Sequence, residues 1–549
     1  MRHGIPFHSG RGVKAPLQGR FALVLHAHLP YVRHPEHPRF FEETWLFEAI
    51  TECYLPLAWM GDDWTRDGIP WRLSLTLTPT LCEMLGDPFL ERRYQAHLES
   101  QCELARKERD RTAFDPVLRP LAELHHQHLE RCRSIPNPGA FLIGQFRKHQ
   151  DAGNLEILNC TATHALLPLL TSEPSSVRAQ LSVAHDSYVA RFGREPRGFW
   201  LPECGWTPEL EPALKEAGIR WFILETHGIL QGQPPPPAAV FAPVQTPGGL
   251  FAFGRDPTSA RQVWSRNSGY PGDPRYREFH RDLGHDAEWE YIGPHLSTPR
   301  RTFTGFKYHR ITGHQVAADE KELYQPAAAA AAVADHAAHF VSERLRMCSE
   351  ARSLLGRVPM MVAPYDAELF GHWWHEGPAF LDQVVRRMCR PDSGLCMVTP
   401  GQFLDENPSH SISMPAASTW GEGGHMGVWL DESNAWMQTP LRRAGWTMRS
   451  LADRFSGRPL EANVDRALRQ AGRELLLAQS SDWPFLVKMG TAGDYPAVRF
   501  QQHVSNFKVL AEGLTTSSNA AFQVRLAEME ARNPLFADLD WRAWCSRGS

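Results

Sequence analysis

The chain lacks any long apolar run. Hydrophobic residues make up 42% of its 549 positions, yet no uninterrupted stretch approaches the length that spans a bilayer. It also lacks a disulfide framework. Ten cysteines are scattered without a C-x-x-C pair, and buried reduced thiols, as in a cytosolic protein, are the simplest reading. Charge of one sign is missing too: the net value is −4 with acids and bases interspersed, which argues against nucleic acid or an anionic membrane as the main partner. The first twenty residues carry no apolar h-region, so 1–20 reads as a disordered leader and not as a secretory signal. No repeat of solenoid period is visible.

What the chain does have is a pair of carboxylates, each closing an apolar, strand-like run. Gly198-Phe-Trp-Leu-Pro leads into Glu203, and Pro359-Met-Met-Val-Ala-Pro-Tyr leads into Asp366. In a parallel α/β barrel, catalytic groups sit where strands end and loops begin. Two carboxylates brought to one rim suit acid-assisted glycosidic chemistry.

The organisation supports an α/β reading. Phe21–His26, Trp71–Leu77, Leu155–Cys160, Gly198–Leu201, Arg220–Leu224 and Met360–Pro364 have strand character. Pro208–Ala217 reads as a crossover helix closed by Gly218, and this βαβ spacing implies a parallel sheet. Residues 87–150 change to charged, helix-period sequence and form a helical insertion between barrel segments 21–86 and 151–402. An alanine-rich helix is expected from Pro326 to about Leu355. The proline-rich stretch 229–250 reads as a long lid or binding loop, and 255–315 as a second excursion over the site. From 403 to 549 helical patterns dominate and strands disappear, giving a C-terminal helical domain.

Several residues have competing explanations. Glu203 and Asp366 could each serve a helix N-terminus, and Glu368 competes with Asp366. His26 and His28, at i and i+2 on a strand, point to one face. With no H-E-x-x-H or cysteine cluster nearby, they and His164 read as hydrogen-bonding groups for sugar or carboxylate and not as metal ligands. Cys204 reads as a packed small residue and not as a nucleophile. Of eighteen tryptophans, nine lie near these motifs: Trp200, Trp206, Trp264, Trp373, Trp374, Trp420, Trp429, Trp436 and Trp483. Each is either a stacking platform or core. Trp420 and Trp429, in glycine-rich surroundings, are expected to turn ring faces to the cleft.

Taken together these segments resemble glycoside hydrolase family 57. The resemblance rests on HAHLPYV from His26, GNLEILNCTATHALLPLL from Gly153, GFWLPECGW from Gly198, APYDAELFGHWWHEG from Ala363 and TWGEGGHMGVWLD from Thr419, and runs from about residue 21 to 545. It implies an incomplete (β/α)7 barrel of TIM type with a helical insertion and a C-terminal helical domain. It also implies a retaining mechanism on α-1,4-glucan, with Glu203 as nucleophile, Asp366 as general acid/base and no cofactor. His26, His28, His164, Arg261, Trp264, Trp420, Trp429 and Asp482 would bind the glucan. Branching members of the family carry a tyrosine on a mobile loop that shields the glucosyl-enzyme, and 229–250 contains none. Branching is the expected activity. An α-amylase or 4-α-glucanotransferase on the same scaffold, a metal-dependent deacetylase using His26 and His28, and a silent glucan-binding protein are the rivals.

Overall fold

The computed structural model describes residues 15–265, 268–313, 315–516 and 520–546. Seven parallel strands form a closed ring. Strands β1 (Gly19–Ala27), β2 (Leu73–Leu77) and β3 (Leu155–Leu158) lie side by side, and the bridge Asn159–Phe199 links β3 to β4 (Gly198–Phe199). β5 (Trp221–Leu224) follows, then β7 (Phe251–Gly254), with the two-residue strand β6 (Val244–Gln245) antiparallel on its edge. The bridge Arg255–Val362 leads to β8 (Met360–Asp366), which pairs with β1 and closes the ring. β9 (Leu395–Met397) pairs with β1 at Gly19–Phe21, below the stretch that pairs with β2. The ring is thus a (β/α)7 barrel, one strand short of the eight of a TIM barrel.

Period-two alternation decides which side chains enter the barrel. Along β1, Ala22 and Val24 face a small inner core with Trp200, Met360 and Val362, whereas Phe21, Leu23 and Leu25 face the surrounding helices. Along β8, Met361, Ala363 and Tyr365 face outward. The same parity points His26 and Asp366, which are register partners, inward at the C-terminal ends of their strands.

Helices Pro88–Arg111, Leu118–Arg133 and Pro138–Asp151 follow β2, and helices from Gln438 to Arg532 share one continuous apolar core with them and with the outer faces of β1 and β8. The alanine-rich helix spans Pro326–Leu355; proline at its first turn starts it, and Gly356 at φ +65° stops it. No helix among the described residues is long and apolar enough to cross a membrane.

Four expectations need correction. β1 begins at Gly19, inside the stretch read as a leader, of which 1–14 lies outside the described residues. Strands β6, β7 and β9 went unread: β6 and β9 are only two and three residues long, and β7 directly follows the segment read as a loop. The proline-rich segment is no lid. Phe241 O accepts from Met360 N (2.8 Å) at the start of β8, and Ala238, Val240 and Ala242 are buried, so this segment packs at the end of the barrel opposite Asp366. The excursion beyond Trp264 leans on the helical insertion: Tyr291 and Tyr308 both donate to the buried Glu108 carboxylate (2.8 and 2.7 Å).

Candidate active site

Every side chain of the site lies at or beyond the C-terminal end of a barrel strand or comes from the chain beyond residue 415. Glu203 lies just past β4 on a tight turn in which it and Cys204 adopt left-handed φ values of +60° and +50°. His164, past β3, has φ +55°. Left-handed backbone costs a non-glycine residue about 1–3 kcal/mol and persists only when its surroundings impose it. Here two residues do so, each by a double grip. Trp420 donates its backbone N–H to Glu203 O (2.9 Å) and its indole Nε1–H to Glu203 Oε2 (2.8 Å). Ser481 donates its backbone N–H to His164 O (3.1 Å), and its Oγ lies 2.8 Å from His164 Nδ1.

Ser481 Oγ also donates to Glu203 Oε1 (3.2 Å). A carboxylate only accepts, so the serine proton goes to Glu203 and the hydroxyl oxygen accepts from His164 Nδ1–H. His164 Nε2 then accepts from His26 Nε2–H, 3.0 Å away. Burial holds both imidazoles well below their ordinary pKa, reinforced by neighbouring histidines, so neutral rings fit this directed chain. It ends at His26 Nδ1, buried without a partner among the described residues, on a ring stacked against Trp200 (4.5 Å).

The two carboxylates have different environments. Burial pushes Glu203 up to about 7, while the Trp420 and Ser481 hydrogen bonds pull the other way. Asp366 is raised well above the carboxylate range by burial and by the charges of Glu368 and Glu203, with Arg255 as the only counterweight. A capping role is ruled out for Asp366: it precedes the turn Ala367–Leu369 but makes no side-chain capping bond. Glu368 is engaged elsewhere, accepting from His28 N (3.1 Å) and from the Tyr54 hydroxyl. Cys204 is buried and its thiol is pushed up, which disfavours a nucleophilic thiolate.

His28, His164 and Asp482 bring ligand atoms within 4.8 Å of one another, as a metal site would. All four ring nitrogens are already in use. His28 Nδ1 faces Thr78 Oγ1 (3.0 Å) and Nε2 faces Asp482 (3.1 Å), while His164 faces Ser481 and His26. The two rings stack at 3.8 Å with 12° between planes, an arrangement of packed imidazoles and not of rings converging on an ion. Burial opposes the Asp482 charge, but His28 outweighs it and holds the carboxyl below its usual range.

Trp264 and Trp420 meet edge to face (6.3 Å) at the rim, with Trp264 37% exposed. Arg261, exposed, is on the same short helix as Trp264. Trp429 does not join them. It is 1% exposed, packed with Leu166 and Val428, and closes against Gly421, where an added Cβ would lie 2.7 Å from its ring. The expectation that it faces the cleft fails because the glycines beside it make room for the ring and not for a ligand. Of the nine tryptophans near the motifs, Trp200, Trp206, Trp374, Trp429 and Trp483 are core. Ser481 and Arg255 were missed: a serine between helices carries no periodic signal, though Asp482 beside it marked the place.

Comparison with known proteins fits this geometry. The profile of glycosyl hydrolase family 57 matches residues 22–415, and that of the C-terminal region of 1,4-alpha-glucan branching enzymes matches 440–544. The chain belongs to glycosyl hydrolase family 57. It is 32% identical to a 1,4-alpha-glucan branching enzyme of Thermococcus kodakarensis over 95% of this chain and 78% of that one. Among solved structures, the alpha-amylase AmyC of Thermotoga maritima superposes with TM-score 0.89 at 37% identity, covering 97% of this chain and 100% of that one. A family 57 branching enzyme of Pyrococcus horikoshii superposes with TM-score 0.86 at 32% identity, covering 97% and 98%.

Proposed function

We propose that this protein is a cytoplasmic 1,4-α-glucan branching enzyme of glycogen-type metabolism that works by retaining double displacement. The observation that carries the chemistry is the unequal treatment of the two carboxylates: Glu203 oriented by two donors, Asp366 held protonated. Glu203, once ionised, attacks the anomeric carbon as the bond to the leaving chain breaks, and the Asp366 proton passes to the leaving oxygen. Asp366 then takes the proton of an incoming 6-hydroxyl, whose oxygen displaces Glu203 and forms the α-1,6 link. No cofactor takes part. Trp264 and Trp420 offer ring faces and edges to glucosyl units, and Arg261, exposed on the helix of Trp264, offers polar contacts. His164 keeps His26 in place and, through Ser481, Glu203, while His28 pairs with Asp482.

Branching is supported by the C-terminal match and by relatives bearing that name. One observation favours the amylase reading: the segment 229–250 has no tyrosine and packs at the far end of the barrel, so it gives the glucosyl-enzyme no shield from water. Incubation with amylose followed by linkage analysis separates the two. Growth of α-1,6 linkages is expected; new reducing ends alone would make the protein a hydrolase.

A further inference from the structure

Away from the carboxylate pair the protein holds a cavity of about 420 Å3, within the range of small-ligand sites. Neither carboxylate nor any of the histidines and tryptophans around them lines it. One wall is Ile50–Tyr54, a π-helical turn inside the helical run Glu43–Arg66. Such turns are rare and gather at functional sites. Thr51 and Glu52 of this turn line the cavity together with Arg277 and Lys307 of the excursion and His125 and His128 of the insertion.

The lining narrows what can bind. Acids Glu48, Glu52, Asp63 and Asp382 nearly balance Arg131, Arg277 and Lys307, so an ion of neither sign is selected. Burial lowers His97 to about 4 and His125 to about 3, and lowers His375 as well, leaving neutral imidazoles that each offer one donor and one acceptor. The rings of His97 and His375 line the cavity with no hydrogen-bond partner among the described residues. Phe41, Leu124 and Phe303 add apolar patches.

Mixed donors and acceptors, balanced charge and apolar patches suit a neutral hydroxyl-rich ring. We propose that this cavity is a second carbohydrate site, taking the end of an α-glucan chain apart from the one being cleaved; the glucan identity rests on the function proposed above, the site itself on the cavity. It is joined to the catalytic turn. Tyr54, two residues after Glu52, donates to Glu368, which follows Asp366. Glu52 Oε2 pairs with His372 Nδ1 (2.7 Å), and Gly371 sits against the Glu52 carbonyl, where an added Cβ would lie at 1.9 Å. A chain end bound at Glu52 therefore bears on the segment that carries Asp366.

Calorimetric titration of the Glu203→Gln protein with maltotriose tests this. Two classes of site are expected. His375→Ala should weaken one class at least tenfold, and Leu124→Trp, at an exposed position on the lining, should remove that class by filling the space; the other class should be unmoved. Leu124→Trp keeps the test valid should His375→Ala fail to fold. A single class that is lost in Trp420→Ala and indifferent to both cavity variants overturns the second site and leaves the proposed function standing. Two classes that neither cavity variant alters also overturn it, as does glucose 1-phosphate outcompeting maltotriose there. Absence of any maltotriose binding sinks the glucan reading along with it.

Discussion

Glu203 receives hydrogen bonds from Trp420 and Ser481, which are 217 and 278 positions away and outside the barrel strands, whereas Asp366 ends β8 with burial and like charge pressing on it. Both carboxylates follow the same kind of apolar run, and strand-end position alone would make them equivalent. Their surroundings separate them. In the proposed mechanism the donors on Glu203 favour the charged form a nucleophile needs, against the pull of burial, while burial and like charge at Asp366 favour the protonated form a general acid needs.

The sharpest way to break this comparison is Glu203→Gln, which keeps volume and one of the two accepting oxygens but cannot form the covalent intermediate. Turnover of amylose should fall at least about a thousandfold, equivalent to ~4 kcal/mol of barrier. Residual activity within tenfold of the parent would place the nucleophile elsewhere. The same variant tests the electrostatics. The folded-state value of about 7 lies above the ordinary 4.5, so the stability this group allows is complete below about pH 4.5 and is lost as pH rises through 7. By pH 8 the charged form costs about 3 kcal/mol. Denaturation midpoints should show Glu203→Gln more stable than the parent at pH 8 and indistinguishable from it at pH 4.

A second contrast is between Trp429 and Trp420. Trp429→Ala should lose about 3–5 kcal/mol of stability in thermal or urea melts, since it empties a buried site. Trp420→Ala should melt nearer the parent yet lose turnover, because its indole holds Glu203. Equal melts for the two would erase the distinction. Smaller in effect is Ser481→Ala. Loss of one hydrogen bond to a charged group predicts about a tenfold fall in kcat. That bond lowers the Glu203 pKa, so the acid limb of the pH–rate profile should move to higher pH. An unmoved limb would deny Ser481 its link to Glu203. Smallest of all, dialysis against a strong chelator should leave activity unchanged; a loss restored by zinc would turn His28, His164 and Asp482 into ligands.

The parts legible in the sequence were those with local causes. Apolar runs stopped by polar residues placed six of the seven ring strands within a few residues, and Pro326 with Gly356 bounded the long helix. Strand β7 directly follows the segment read as a loop, and the short β6 and β9 had no periodicity to read. Ser481 and Arg255 act through partners far along the chain, which no local pattern reports. Tryptophan was legible as a residue type but not as a direction: Gly421 admits the ring of Trp429 into the core, while Trp420 beside it stays at the rim. Glycines near an aromatic therefore signal close approach without saying by what.

The closure of the ring by β1 and β8 also governs how the protein is made. Synthesis runs from the N-terminus at about 5–20 residues per second, so β1 waits roughly half a minute for its partner strand to leave the ribosome. Ser481 emerges later still. A nascent chain that reaches Asp366 but not Trp420 holds both carboxylates and neither of the donors that orient Glu203.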